Sequence, residues 1–381
     1  MKTFKYRIYP NKEQKRTIEN TLSTCCLVYN LALEQRIKIW TNQKKSIGKY
    51  QQQKQLVELK DAYPEIKVVY AQVLQTVIGK LDISYQNFFR RLKQKATKAG
   101  FPRFKSRDRY NSYTYPQIRN ISIQNNRIGI SKLGEVKIKY HRPFEGQPKT
   151  LTIVKNNDQY FVTIACELDV SIPKITARSM VGIDLGLSNF VTCSDGQVFD
   201  NPRFLRKSED KLTKAQKKHS NKTKGSKNRN NSRKRLAKIH NKIRNQRQDF
   251  LHKLSRQLVN KYDILVFEDL NIKSMVKNHN LAKSINDASW NNLINQCIYK
   301  AEDAGKYVIK VDPRDTTKTC SRCGHKMLMP LWQRTYDCPE CGLVLDRDRN
   351  ASNNVLQRYL STVGTTEIQS FGERSLDCSR N

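Results

Sequence analysis

The chain has 381 residues, with 71 Lys and Arg against 34 Asp and Glu and a formal net charge of +37. Such a field speaks against an enzyme of small metabolites and for a polyphosphate partner, nucleic acid ahead of an anionic membrane. No run approaches the roughly 18 apolar residues of a spanning helix and residues 1–5 lack a signal-peptide core, so the expectation is a cytoplasmic protein of two or three domains with no membrane partner.

Residues 2–10 alternate, with Phe4, Tyr6 and Ile8 on one face, and predict a short strand closed by Pro10. Asn11 reads as the N-cap of a helix carrying Ile18, Leu22, Cys25, Tyr29 and Leu33 at spacings of three and four. A polar stretch covers 42–54. A long helix over about 68–95 then carries Leu74, Val77, Leu81, Tyr85, Phe88 and Leu92 along one stripe. Residues 11–95 are therefore expected to form a helical domain.

The Gly100-Phe101-Pro102-Arg103-Phe104-Lys105 stretch interleaves aromatic and basic side chains. That composition suits base stacking with phosphate contact, or a basic linker that packs its two Phe rings. Over residues 121–168 the period becomes two, with Ile128/Ile130, Val136/Ile138, Leu151/Ile153 and Tyr160/Val162/Ile164 separated by turn signals. Four or five antiparallel strands predict a small barrel. The isolated opening strand is expected to join it, which makes the helical domain an insertion.

Two strands and a turn follow from Val181, completed by Val198-Phe199. Residues 206–260 are dense in Lys and Arg, with Leu236, Ile239, Ile243, Phe250, Leu254 and Leu258 at helical spacing and a break at 221–232. They predict a basic helical hairpin. An apolar strand ends in Glu268, a helix carries Trp290, Leu293, Ile294 and Ile298, and another strand spans 307–311. The tail from about residue 362, with Cys378, is expected to be disordered.

Three acids stand in strand- or helix-shaped contexts. Asp184 lies mid-strand between Ile183 and Leu185, Glu268 ends Ile264-Leu265-Val266-Phe267-Glu268, and Asp348 opens a helix. Carboxylates on apolar strands are costly to bury without positive charge, and three together repel. One or two Mg²⁺ ions are the natural compensation, which is the chemistry of a two-metal phosphodiester-cleaving site. Asp346 is the rival of Asp348 for the third place, or else the N-cap of that helix.

Cys320-x-x-Cys323, fourteen residues, and Cys338-x-x-Cys341 form two knuckles, each followed by glycine. Four thiolates at this spacing match a closed tetrahedral Zn²⁺, structural in role. An iron–sulfur cluster and a redox dithiol are the other chemistries open to such pairs. His325 is an outer neighbour of the zinc or a surface histidine. Of the remaining cysteines, Cys25, Cys166 and Cys193 read as small buried thiols.

Together these residues resemble the TnpB family, RNA-guided nucleases encoded by insertion sequences and related to the type V CRISPR effectors. Gly182-Ile183-Asp184-Leu185-Gly186 and Phe267-Glu268-Asp269-Leu270 resemble the first two RuvC motifs, and the two knuckles with Asp346-Arg347-Asp348-x-Asn350-Ala351 resemble the zinc module and third motif. Val73-Leu74-Gln75, Asn87-Phe88-Phe89 and Phe101-Pro102-Arg103-Phe104-Lys105 resemble the family's N-terminal half less sharply.

The resemblance implies a multidomain α/β plus β-barrel chain. A wedge-like barrel would span 1–10 and 96–178, and a helical recognition domain 11–95. A RuvC, RNase H-like nuclease domain would span 179–318 and 344–361, around a zinc insertion at 319–343. It further implies two Mg²⁺ held by Asp184, Glu268 and Asp348, and one Zn²⁺ on Cys320, Cys323, Cys338 and Cys341. The implied partners are a guide RNA from the transposon end and a double-stranded DNA target cut next to a short adjacent motif, in a prokaryotic, nucleoid-associated setting. Gln75 reads as a base reader on the DNA, or as a plain polar helix position. Two other functions use the same features: a transposase, and a guide-dependent DNA-binding repressor that does not cut.

Overall fold

Strand β1 (Lys2–Tyr9) turns Phe4, Tyr6 and Ile8 inward, and the following helix begins at a full capping box. Asn11 Oδ1 accepts from the Gln14 amide at 2.8 Å, while the Asn11 amide donates to Gln14 Oε1 at 3.0 Å. Gln14 Nε2 also donates to the Leu133 and Glu135 carbonyls, so the cap ties the helix start to a distant hairpin. The computed structural model describes residues 1–95, 99–118, 121–169, 176–330 and 332–362, and the polar tail with Cys378 falls outside them. The chain divides into two compact units, Met1–Val170 and Ser171–Asn381.

In the first unit, α1 (Lys12–Gln43) and α4 (Ala71–Lys93) are joined by short helices α2 (Lys49–Lys54) and α3 (Leu56–Ala62). The expected α1 face is buried, from Ile18 through Leu33. On α4, burial stops at Leu81; Leu92 is exposed because the helix runs on past the core. Strands β2 (Ser112–Tyr115), β3 (Ile123–Gln124), β4 (Arg127–Ile130), β5 (Gly134–Lys139), β6 (Gln147–Asn156) and β7 (Gln159–Glu167) complete a seven-stranded sheet. Its order is β2-β6-β7-β1-β5-β4-β3.

Strand β1 is therefore interior, antiparallel to β7 (Lys2↔Cys166 to Ile8↔Tyr160) and to β5. The expected small barrel is instead an open half-barrel sheet. Strands β2 and β3 stay unpaired edges among the described residues, and β3, two residues long, offers little to close on. Helices and sheet share one hydrophobic core, so the 11–95 segment is packed on the sheet rather than standing apart.

The second unit is built on β8 (Met180–Asp184), β9 (Asn189–Cys193), β10 (Val198–Asp200), β11 (Ile264–Glu268) and β12 (Tyr307–Val311), in the order β10-β9-β8-β11-β12. The first three are antiparallel, and β8-β11-β12 run parallel. Between β10 and β11 lie α5 (Phe204–Lys207), α6 (Glu209–Ser220) and α7 (Lys227–Lys261), the basic hairpin expected from the sequence. Helices α8 (Ile272–Met275), α9 (His279–Ala288) and α10 (Trp290–Asp303) follow β11. A two-stranded ribbon, β13 (Thr335–Asp337) and β14 (Val344–Asp346), leads into α11 (Arg347–Thr362).

Both faces of this sheet are covered, which is why β11 reads as a continuous apolar run. Leu265 and Phe267 pack with the α7/α10 side chains, whereas Ile264 and Val266 pack with Val355 and Tyr359 of α11. Helix α11 lies directly on β8 at Gly182. A Cβ there would run into the Ser352 carbonyl oxygen and come within 2.7 Å of the Leu356 amide nitrogen. Both obstacles are backbone, so no rotamer change relieves them. Gly182→Ala is expected to cost about 3 kcal/mol or more in a denaturant melt. Gly129→Ala, where nothing lies within 4 Å of the added carbon, is the control. Equal melts would show that α11 does not need this close approach.

A candidate active site and metal centre

Side chains alternate along a strand, so Asp184 shares the face of Gly182, and Glu268 shares the face of Ile264 and Val266. That is the face α11 covers, and Asp348 lies in the first turn of α11. The three carboxylates are 8%, 6% and 6% exposed. Burial is the main force raising the Asp184 pKa well above the carboxylate range, and the charges of Glu268 and Asp348 add to it. Burial also raises Glu268, opposed by a hydrogen bond from Thr316 Oγ1 to its Oε1 at 2.6 Å and by the charge of Arg358. The structure thus brings the three acids into one electrostatic group.

Asp348 is matched by cations. Arg347 Nη2 lies 3.3 Å from its Oδ1, and Arg334 Nη1 lies 3.7 Å from its Oδ2 while Nη2 donates to Ser188 Oγ. The rival, Asp346, is exposed, and its Oδ1 accepts the backbone N–H of Asp348 and Arg349 at 3.0 Å each. It is the helix cap, which leaves Asp348 as the carboxylate facing the other two.

The four cysteines converge. Their sulfurs all lie within 4.8 Å of one another, the one such metal-capable group among the described residues; the three carboxylates are not drawn so tightly together. Cys320 and Cys341 sulfurs are 3.6 Å apart and those of Cys323 and Cys338 are 3.5 Å apart. A tetrahedral Zn²⁺ with bonds near 2.3 Å would set them at roughly 3.8 Å, so the cluster fits zinc. Gly324 and Gly342 take φ of +79° and +66°, the left-handed turn each knuckle requires. Burial raises the Cys320 thiol, yet the amides of Cys323 and Arg322 and two neighbouring thiols outweigh it and bring it down to about 7. His325 serves through its backbone, its carbonyl accepting from the Cys320 amide at 2.8 Å and from Tyr336 Oη.

Gln75, Phe101 and Phe104 lie in the first unit. Gln75 is an exposed position of α4 whose carbonyl accepts from Gln53. Phe101 packs edge-on against Tyr85 and Phe88 of α4, while Phe104 is exposed. Cys25, Cys166 and Cys193 are buried free thiols.

Three family models match the chain: one described as "Probable transposase" over residues 163–279, one as "Cas12f1-like, TNB domain" over 290–355, and one as "Helix-turn-helix domain" over 1–45. A TnpB-like protein, L770, of Acanthamoeba polyphaga mimivirus is 28% identical over 58% of this chain and 45% of its own length. A Streptomyces pristinaespiralis protein, provisionally named an RNA-guided DNA endonuclease, is 34% identical over 94% of this chain and 90% of its own. An Escherichia coli K12 protein, provisionally named the RNA-guided DNA endonuclease InsQ, is 30% identical over 98% and 96%. The chain belongs to the TnpB family.

A solved Cas12f1–sgRNA–target DNA complex shares the fold, with a TM-score of 0.56 at 15% identity over 91% of this chain and 83% of that one. In this TnpB-family chain the transposase match takes in Asp184 and Glu268, and the TNB match takes in the four cysteines and Asp348. The helix-turn-helix match covers one strand and a single 32-residue helix with the two residues beyond it.

Sequence reasoning missed the residues that hold the site in place. Thr316 orients Glu268, and the Asn354 amide donates to the Thr316 and Thr319 carbonyls. Asn350 donates to the Thr319 carbonyl and accepts from the Ser321 amide. The two asparagines, four apart on α11, signal a polar face against a neighbour, but not which neighbour.

Because folding raises the pKa of Asp184 and Glu268, the folded state holds their protons more tightly than the unfolded chain does. The resulting stability is fully present below the ordinary carboxylate pKa and is lost as pH rises through the raised values. In EDTA, Asp184→Asn is therefore expected to melt above the parent at neutral pH, with the gap closing toward pH 4. A variant that melts below the parent at neutral pH would show that the charge is already compensated within the protein.

Proposed function

We propose that this chain is an RNA-guided DNA endonuclease of an insertion sequence, cutting DNA beside a short target-adjacent motif at the Asp184–Glu268–Asp348 site. The observation that carries the reading is the burial of three mutually repelling carboxylates on one sheet face in a chain of net charge +37. Relatives named as RNA-guided DNA endonucleases align over nearly its whole length. The strand order β10-β9-β8-β11-β12 fits an RNase H-like, RuvC nuclease domain over 179–318 and 344–361, with a zinc insertion at 319–343. The half-barrel would be the wedge, and helices within 11–95 the recognition part. A guide RNA from the element's end and a double-stranded DNA target are the proposed partners, and Gln75 the proposed base reader.

Asp184, Glu268 and Asp348 would hold two Mg²⁺, whose preference for hard oxygen donors these carboxylates meet. Bound there, such a pair would supply a water of lowered pKa and charge stabilisation for a leaving 3′ oxygen. Thr316 fixes one Glu268 oxygen, and Asp346 holds the first turn of α11 so that Asp348 keeps its direction. Arg334, half-exposed beside Asp348, keeps positive charge where a phosphate would approach. The thiolates of Cys320, Cys323, Cys338 and Cys341 would hold one Zn²⁺, closing its coordination and leaving it a structural role.

The transposase reading has one observation in its favour, the description of the family model over 163–279. Incubating the RNA-bound protein with target duplex separates the two: an endonuclease leaves cut ends, a transposase joined strands. Asp184→Ala, Glu268→Ala and Asp348→Ala are each expected to abolish cutting while guide-dependent DNA binding survives, because affinity comes from phosphate contacts and pairing. Asp346→Ala should slow cutting without abolishing it, with a stability loss of about 1 kcal/mol. Cleavage by all three alanine variants would sink the assignment.

Elemental analysis is expected to find one zinc per chain, and stripping it should unfold residues 319–343. Iron in its place, or a folded segment without metal, would contradict the zinc assignment.

A further inference from the structure

The C-terminal half of α4 and the segment that returns beneath it carry aromatic surface that the core does not use. Phe89 is 54%, Phe101 46% and Phe104 57% exposed. The rings form a connected set: Phe101 meets Tyr85 and Phe88 edge-on at 5.5 and 5.3 Å, and Phe88 meets Phe89 at 5.3 Å. One side of Tyr85 is already covered by the Arg36 guanidinium, 5.0 Å from its centroid, and Arg36 is paired with Asp82. The return is pinned. Arg91 donates to the Ala99 carbonyl, Gly100 takes φ of +64°, and Asn30 bonds both the amide and the carbonyl of Lys105. Phe101 and Phe104 are thus held on a fixed backbone rather than on a loose linker.

Beyond Asp82, which is taken up by Arg36, the chain segment that carries these rings is charged with one sign. From residue 83 to residue 107 the sequence contains eight Lys and Arg and no Asp or Glu. A second copy of a +37 chain would be repelled by this surface, and an apolar protein partner would leave the cations unpaired. Unstacked bases on a phosphate backbone satisfy both features at once, since every base offers a π-face and brings a phosphate with it.

We infer that Phe89, Phe101 and Phe104, flanked by Arg90 and Arg103, form a stacking platform for unpaired nucleotides. The platform deepens the proposed function on its nucleic-acid partner and rests on that reading. It is independent of the carboxylate site, so it is tested by binding and not by cutting.

The full-length protein, freed of RNA in high salt, is titrated with a 12-nucleotide single strand and with an abasic strand of the same length and charge. Phe89→Ala/Phe104→Ala is expected to weaken binding of the base-bearing strand at least tenfold and to leave abasic binding unchanged. Both side chains are exposed, so the fold should survive, and an unchanged melting temperature checks it. Arg90→Gln/Arg103→Gln should weaken both strands and lower the salt slope by about 1.4. In the assembled RNA complex, 5-iodouracil placed in the RNA or in a displaced DNA strand should crosslink to residues 83–107, and the reactive strand identifies the source of the bases. Equal loss for base-bearing and abasic strands, wild-type binding by the aromatic variant, or crosslinks only elsewhere would overturn the platform. A cleavage-dead complex that still crosslinks here would fail the nuclease reading and leave the platform standing.

Discussion

Holding three carboxylates out of water within one another's field is the constraint that organises the second unit. Each acid comes from a different element, β8, β11 and α11, so none can retreat without dislocating a strand or a helix. The unit answers with backbone and polar ties: the side-chain-free approach of α11 to β8 at Gly182, the Thr316 hydroxyl on Glu268, and two guanidinium groups on Asp348. What remains uncompensated appears as raised pKa values at Asp184 and Glu268. Such residual strain suits a site whose remaining positive charge arrives from outside the chain.

The cysteine cluster is joined to this problem through the backbone. Strand β14 leaves the second knuckle and ends at Asp346, whose carboxylate caps the helix that carries Asp348 two residues later. On the other side, Asn350 and Asn354 grip the segment entering the first knuckle. The third acid is thus aimed from both flanks by the small cysteine-bearing module.

Much of this was legible in the sequence because it is periodic. Alternation located β1 and placed it with strands more than a hundred residues away. The same alternation told that Asp184 faces away from Ile183, and the Cys spacing gave the cluster outright. Polar burial was not legible. Residues 42–54 show only a polar stretch, yet they contain α2, whose Gln52 is buried and donates to the Ala32 carbonyl while accepting from Arg36. Strand β2 follows a basic stretch, and of its four residues only Tyr113 and Tyr115 turn inward. Gly182 gives no periodic signal at all, since its reason is a helix about 170 positions later.

The interior place of β1 has a consequence for synthesis. Helix α1 and its cap can form as soon as they leave the ribosome, but β1 must wait for β7, whose pairing partners end at Cys166. At ordinary elongation rates of about 5–20 residues per second, that interval is roughly 8 to 30 s. Until β5 emerges, both edges of an apolar strand stand open on a strongly cationic nascent chain, and the edge that takes β7 stays open for the whole interval. The half-barrel is therefore the slow, association-prone step of biogenesis, and any polyanion within reach of the ribosome meets the chain before its first sheet is complete.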